Sequence, residues 1–241
     1  MENLFNKLKD VSFINYINTF DVVCLTKTFL DSSFDYNCVF VDYLKFYAPA
    51  KKFSHYGRNS GGVLLLIRKV FERYIQEIKI ECDNTVAIKI DKSVFGLDKD
   101  VILTACYVVP EGGPIYNEKI IKDGIVILEE ALLQYFEKDQ MYLMILGDMN
   151  ARTGNEQADL EDMTNYMCDV QHVSMDDDFC VRSSKDEIIN NFGKSLLDLC
   201  FMFDMAIRNG SCNGDKEGEY TFISPNGSSV IDYFLVPFQL L

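Results

Sequence analysis

The stretch MYLMILGDMNAR, Met141 to Arg152, decides how the rest of the sequence is interpreted. Its first six residues, 141 to 146, carry no charge, and such a continuous run is typical of a strand that is buried on both faces. Gly147 ends the run and allows another group to approach the backbone closely, and Asp148 and Asn150 follow. Side chains two residues apart on an extended chain point to the same face, so we expect Asp148 and Asn150 to emerge together at the strand tip.

A carboxylate beside an amide at a strand tip suits the metal-assisted hydrolysis of a phosphodiester. The carboxylate can orient or deprotonate a water molecule, and the amide can hold a phosphate oxygen without adding negative charge. A plain Asp-x-Asn turn after a strand is the alternative, and on spacing alone it is the more common outcome.

Apolar runs of strand length lie on both sides of this stretch: VVCLT, VLLLIRK, TVAIKI, VILTACYVV, EYTFIS and VIDYFLV. Two segments, Ile121 to Tyr135 and Phe192 to Phe203, carry apolar residues at steps of three and four and predict amphipathic helices. A weaker pattern predicts a helix over Asn3 to Phe20. The sequence therefore predicts an α/β layered sandwich, with helices covering the sheets, in a single domain over 1–241. We expect residues 154–190, which are polar and acidic, to form a loop or insertion.

Composition narrows the class of protein. The chain has 241 residues, of which 48% are hydrophobic, and this predicts a globular protein. No apolar run is long enough to span a bilayer, the first residues lack a signal-peptide pattern, and no membrane partner is expected. The eight cysteines include no CxxC pair, so we expect buried thiols of an intracellular protein, nuclear or cytoplasmic and not secreted.

The charges are unevenly distributed along the chain. The formal net charge of −14 argues against a nucleic-acid partner, because phosphate backbones repel an acidic surface. From Tyr43 to Lys69, however, there are six basic residues and no acid, whereas Asn155 to Asp178 has eight acids and no Lys or Arg. Two solvated loops of opposite sign would explain this pattern, but the basic segment is where a phosphate-bearing ligand would bind.

Other candidate residues are less well defined by the sequence. Asp232 interrupts the run VIDYFLV, and a carboxylate buried there would need a fixed partner, such as a histidine. Tyr107 lies near the end of a strand and could reach a phosphate, although strand tyrosines more often serve packing. The only histidines, His55 and His172, have no local context that favours catalysis.

Seven blocks in this order resemble the endonuclease/exonuclease/phosphatase superfamily, and most of all the endonuclease domains of non-LTR retrotransposons (LINE elements). The blocks are DVVCLTKTFL, GRNSGGVLLLIRK, CYVVPEGGPIY, LGDMNART, NNFGKSLLDLC, GEYTFIS and GSSVIDYFLV. The resemblance covers nearly the whole chain. It implies a DNase I-like, four-layer α-β-β-α sandwich of two mixed sheets, and Mg²⁺-dependent nicking of DNA next to a reverse-transcriptase domain in the parent element.

The resemblance also implies roles for individual residues. Asp148 would orient the attacking water, Asn150 and Tyr107 would contact the phosphate, and Asp232 would orient a catalytic histidine. Arg58, Asn59 and Ser60 belong to a block typical of the retrotransposon branch and lie in the basic segment. From the charge of that segment we expect Lys51 and Lys52 to bind phosphate or DNA as well.

Three departures from the family pattern set this chain apart. The metal-ligating glutamate at the end of the family's second strand corresponds to Lys27, an ammonium that cannot coordinate Mg²⁺ and repels it. We also expect the family's first strand and its terminal Ser-Asp-His block to be missing, so that the domain is truncated at both ends. From charge alone, the Lys27 ammonium would sit near Asp148 and neutralise it as a metal would.

Three functions are consistent with these observations. The first is a retrotransposon-derived endonuclease domain that is inactive or impaired. The second is a remnant that binds nucleic acid or protein without catalysis, and the third is a small-molecule phosphoesterase of the same superfamily.

Overall fold

The computed structural model describes residues 4–52, 59–113, 116, 123–137, 140–157 and 182–241. The chain divides into two compact units, Met1–Met149 and Asn150–Leu241. The assignment of 1–241 to one domain stays a prediction.

The first unit contains a three-stranded antiparallel sheet made of β1 (Val22–Thr26), β2 (Tyr43–Ala48) and β3 (Val63–Arg68). β3 lies in the middle and pairs with both neighbours. Five of its six residues are buried, which is why its sequence is continuously apolar instead of alternating.

Two short helices, α1 (Leu4–Lys7) and α2 (Val11–Ile17), pack on the outer face of this sheet. A single hydrophobic cluster joins them to the sheet, and its buried members are Leu4, Ile17, Leu30, Tyr36, Phe40, Tyr43, Leu64 and Leu66. The predicted helix over Asn3 to Phe20 is broken in two, because the Asp10 side chain accepts a hydrogen bond from the Ser12 N–H and caps a new helix there.

Four further strands of the first unit are hydrogen-bonded side by side in the order β4 (Ile75–Ile78), β5 (Thr85–Ile90), β6 (Asp100–Tyr107) and β7 (Met141–Asp148). β6 and β7 are parallel, and the chain returns between them through helix α3 (Gly124–Leu133). The two sets of strands pack face to face, since β1 contacts β7, β2 contacts β5 and β3 contacts β6. This arrangement gives the predicted layers of the sandwich.

The second unit begins after β7 and contains helix α4 (Asn191–Met202) and four strands. β8 (Met205–Ile207) pairs antiparallel with β11 (Asp232–Pro237), and α4 contacts β8. β9 (Phe222–Ser224) and β10 (Gly227–Ser229) form a hairpin. Within 154–157 and 182–190 there is no helix and no strand longer than a single bridge, as expected for the acidic segment, and residues 158–181 lie outside the described part.

The cysteine prediction is only partly right. Among the described residues six cysteines are free thiols, and of these Cys106 and Cys200 are buried whereas Cys38 is exposed. Cys168 and Cys180 lie outside the described residues. No described helix is long and apolar enough to cross a membrane.

Candidate active site

An ion pair joins the ends of two strands of the first unit. The Lys27 Nζ lies 2.5 Å from an Asp148 carboxylate oxygen, and the lysine directly follows β1 while the aspartate ends β7. The Asp148 side chain is 3% exposed and that of Lys27 is 19% exposed. The ammonium also lies 5.4 Å from the centroid of the Tyr107 ring, within the range of a cation–π contact. The sequence-based expectation that Lys27 sits beside Asp148 is confirmed.

The backbone around Lys27 fixes the start of its side chain. Lys27 and Phe29 both have left-handed backbone conformations, with φ of 53° and 57°. The Thr28 and Phe29 N–H groups donate hydrogen bonds to the carbonyls of Gly62 and Gly61, at 3.1 and 3.0 Å. A left-handed conformation is costly for residues other than glycine, so these bonds hold a turn that the local sequence would not adopt alone.

The glycines of the GRNSGG block explain how this turn is accommodated. The Gly62 N–H donates to the buried Asn84 side chain at 2.9 Å, and a Cβ atom at Gly61 would overlap that same side chain. The Asn84 carbonyl in turn accepts a hydrogen bond from the Tyr107 N–H at 2.9 Å. The Gly-Gly pair therefore ties the Lys27 turn to the strand end that carries Tyr107.

Asp148 is placed by the parallel pairing of β6 and β7. In this register Tyr107 lies opposite Asp148 and Cys106 opposite Gly147, and the Val108 N–H donates to the Asp148 carbonyl at 2.8 Å. Gly147 has a φ of 143°, and a Cβ there would overlap the Cys106 carbonyl oxygen. The close approach predicted for Gly147 is thus made by the neighbouring strand. Burial raises the pKa of the Cys106 thiol, which stays neutral beside this site.

These residues do not fit a Mg²⁺ ion. Magnesium needs oxygen ligands in near-octahedral geometry, and the position opposite Asp148 is taken by an ammonium group. Within the part of the chain that the structure describes, no group of three or more His, Cys, Asp or Glu side chains could hold a metal ion. The Mg²⁺ site that the resemblance implies is therefore not formed at Lys27 and Asp148.

Asn150 does not follow the alternation expected of an extended strand. β7 ends at Asp148, and Asn150 has a left-handed φ of 47° in the second unit. The prediction that the Asp148 and Asn150 side chains emerge on one face assumed an extended chain up to residue 150. That assumption is wrong, because the alternation of side chains applies only within a strand. The catalytic role of Asn150 stays a prediction.

The Asn190 side chain holds the backbone that follows Asn150. Its amide donates to the Asn150 carbonyl at 3.3 Å, and its oxygen accepts from the Arg152 N–H at 2.9 Å. The same oxygen accepts from the Gly193 N–H at 2.7 Å and so caps helix α4. One side chain thus starts the helix and fixes the turn at Asn150.

An ion pair within the second unit, between Arg152 and Asp186, was not found from the sequence. The Arg152 guanidinium binds Asp186 through two hydrogen bonds of 2.8 and 2.6 Å, and Asp186 also accepts from the N–H groups of Val230 and Ile188. Burial raises the pKa of Asp186, but the hydrogen bonds from Arg152 and the two amides outweigh it, so its pKa is lowered overall. No period or spacing links residues 152 and 186, so no signal in the sequence could have paired them.

Comparison with solved structures identifies the fold. The chain is similar to a 3′ phosphatase, NExo, from Neisseria bound to product DNA hairpin, with a TM-score of 0.59 and 14% identity over 98% of this chain and 83% of that chain. It is also similar to an AP endonuclease from Archaeoglobus fulgidus (TM-score 0.59, 13% identity, 99% and 84% covered). A third likeness is to the AP endonuclease LMAP from Leishmania major (TM-score 0.63, 13% identity, 98% and 76% covered). No family model matches the sequence, and no curated protein matches it significantly.

The chain has the fold that these two AP endonucleases and the 3′ phosphatase share. The predicted fold class, an α/β sandwich of the DNase I-like kind, is confirmed. At 13–14% identity these likenesses concern the fold, and the roles of individual residues stay predictions.

Asp232, which the superfamily resemblance assigns to histidine orientation, is not the buried strand residue that the sequence suggested. It is the first residue of β11 and is partly exposed. Its carboxylate therefore stays in contact with water, and the free-energy cost of burying a charge, which was the reason to expect a fixed partner, is small. Its N–H donates to the Thr221 hydroxyl at 3.1 Å, and its carbonyl accepts from the Asn209 amide at 3.0 Å. Both histidines lie outside the described residues, so the role of Asp232 in orienting a histidine stays a prediction.

The basic segment is only partly described, and its described members have varied surroundings. Lys51 forms an ion pair with Asp83 at 2.6 Å, and both side chains are well exposed. The Asn59 amide donates to Asp31 at 2.9 Å, and Ser60 pairs with Lys51 through backbone hydrogen bonds. Lys52 is exposed, and Arg58 lies outside the described residues. Phosphate binding by this segment stays a prediction.

Proposed function

We propose that this chain is a retrotransposon-derived endonuclease domain whose superfamily reaction, Mg²⁺-dependent nicking of DNA, is lost or severely impaired. The superfamily fold supports the coarse part of this proposal, a nuclease-like phosphodiesterase ancestry. The blocks GRNSGG, LGDMNART and NNFGKSLLDLC favour the retrotransposon branch. DNA is the proposed ligand, and the Neisseria neighbour is bound to product DNA hairpin.

The ion pair of 2.5 Å between Lys27 and Asp148 carries the proposal. A nuclease of this kind needs a carboxylate for its metal at the position of Lys27. This chain has a cation there instead, and that cation is already bound to the Asp148 carboxylate. A divalent cation would have to displace the ammonium and would then face its positive charge at close range. Loss of metal-assisted cleavage follows from this competition.

A plasmid-nicking assay tests the proposal. The purified chain is incubated with supercoiled plasmid in Mg²⁺, beside an Asp148→Ala variant and an EDTA control, and relaxed circles are quantified. We expect no relaxation above the level of the EDTA control. Metal-dependent nicking by the wild-type chain that disappears in Asp148→Ala would overturn the proposal.

A further inference from the structure

We infer that the Lys27–Asp148 pair forms a binding site for a phosphodiester anion that operates without a divalent cation. This inference rests on the proposed function, because it assigns to the altered site the same class of ligand, a nucleic-acid backbone. It concerns binding and not cleavage.

The ammonium is held in place instead of moving freely in solvent. The Lys27 backbone is in a left-handed turn that two hydrogen bonds to Gly61 and Gly62 fix, and the side chain ends between the Asp148 carboxylate and the Tyr107 ring. A positioned cation loses less side-chain entropy when it binds an anion than a mobile surface lysine does.

The charge of the pair allows an anion to approach. Asp148 alone would repel a phosphate, and in metal-dependent sites the cation removes that repulsion. Here the ammonium, 2.5 Å from the carboxylate, makes the pair neutral overall. Lysine binds phosphate as a point charge and needs no metal to do so.

The two side chains of the pair differ in how accessible they are to a ligand from solvent. The Asp148 side chain is 3% exposed and the whole Lys27 side chain is 19% exposed, so the lysine is the more accessible member of the pair. An incoming phosphate therefore meets the lysine before the carboxylate. The Lys51–Asp83 pair differs, since its side chains are 52% and 39% exposed and neither charge is shielded from the ligand.

The inference is tested by the fluorescence anisotropy of a short labelled DNA duplex titrated with the whole chain. Each titration is done in EDTA and in Mg²⁺ at equal ionic strength. We expect equal affinity in both buffers for the wild type, because no metal takes part. Lys27→Met should weaken binding on the order of tenfold. It should also reduce the slope of log K against log salt concentration by about one, the value for one lost phosphate contact.

Two further variants separate the site from general charge and from misfolding. Lys185→Met makes the same change in net charge at a lysine paired with Glu217 and Glu219 in the second unit, and we expect less than about a twofold effect. Lys27→Arg keeps the cation and should retain most of the affinity for the duplex. Circular dichroism checks that Lys27→Arg and Lys27→Met are both folded, and with both folded the tenfold loss of affinity should appear only in Lys27→Met.

The outcomes distinguish this inference from the proposed function. Binding that requires Mg²⁺, binding by Lys27→Met equal to that of the wild type, or no binding by the wild type in either buffer would each overturn the inference. None of these results depends on nicking, which alone decides the proposed function.

Discussion

Replacing Lys27 by methionine should destabilise the protein by about 2–3 kcal/mol, because it leaves the Asp148 carboxylate buried without its cation. Methionine keeps most of the apolar stem of lysine, so the substitution removes the charge with little change in packing. The effect is therefore a measure of the ion pair.

The magnitude follows from the distance and the exposure of the two groups. With an effective dielectric constant of about 20, unit charges 2.5 Å apart attract by roughly 6–7 kcal/mol, which is a ceiling and not a net value. Removal of one partner from a buried pair usually costs about 3–5 kcal/mol. Since the Lys27 side chain is 19% exposed, water can replace part of its contact with Asp148, and the expected cost falls to the low end of this range or just below it, about 2–3 kcal/mol.

Urea unfolding followed by far-UV circular dichroism measures this cost. For a chain of this size the change should lower the unfolding midpoint by roughly 1 M, given a slope of about 2–3 kcal/mol per molar urea. Lys51→Met is the matched control, because its ion pair with Asp83 is exposed and should contribute about 0.5 kcal/mol or less. The double variant Lys27→Met/Asp148→Asn should recover at least half of the loss. Equal midpoints for Lys27→Met and Lys51→Met would refute the reasoning.

The remaining predictions concern single positions whose surroundings are described above. Gly147→Ala should cost at least about 2 kcal/mol by differential scanning fluorimetry, because its Cβ would overlap the Cys106 carbonyl, whereas Gly96→Ala, with open space and a φ of 67°, should cost only about 1 kcal/mol. Asp186→Asn should be clearly destabilising at neutral pH. Because the folded pKa of Asp186 is lowered, its contribution is complete above the ordinary carboxyl pKa of about 4 and is lost as the pH falls further, so the difference from wild type in urea midpoint should shrink below that pH; a constant difference would contradict this. Asn190→Ala should cost about 2 kcal/mol and Asn190→Asp about half as much, since the carboxylate still accepts from two N–H groups; equal unfolding midpoints for the two variants would exclude a role for the acceptor oxygen.

Much of the fold was predictable because its central strands are largely apolar. β3 and β6 are buried along most of their length, whereas β7 begins with six uncharged residues but is only partly buried at five of its eight positions, so the expected burial of this strand on both faces is not observed. Apolar runs of this length are typical of strands. β2 was missed because one of its faces is only partly covered and carries Lys45. β8 was missed because it has only three residues and is separated by two residues from the end of a helix of similar composition. Short and edge strands depend on pairing with distant residues, which no local pattern records.

The candidate site was predictable only where residues lie at strand ends. Lys27 and Asp148 were found because each follows or ends an apolar run, and opposite charges then predicted their contact. The left-handed turn at Asn150 was missed, since periodicity has no meaning once the strand has ended. The Arg152–Asp186 pair joins positions 34 residues apart, and one of them lies in a segment rich in acids, where any single carboxylate is inconspicuous.

The Lys27–Asp148 pair has a consequence for how this chain can evolve. A glutamate at position 27 would place a second carboxylate beside one that is 3% exposed, and the two negative charges would repel each other wherever a cation is lacking. A change from Lys27 to a carboxylate is therefore opposed by folding unless a cation binds at the same time. The ion pair thus stabilises the fold and, for the same reason, disfavours the substitution that a metal site at this position would require.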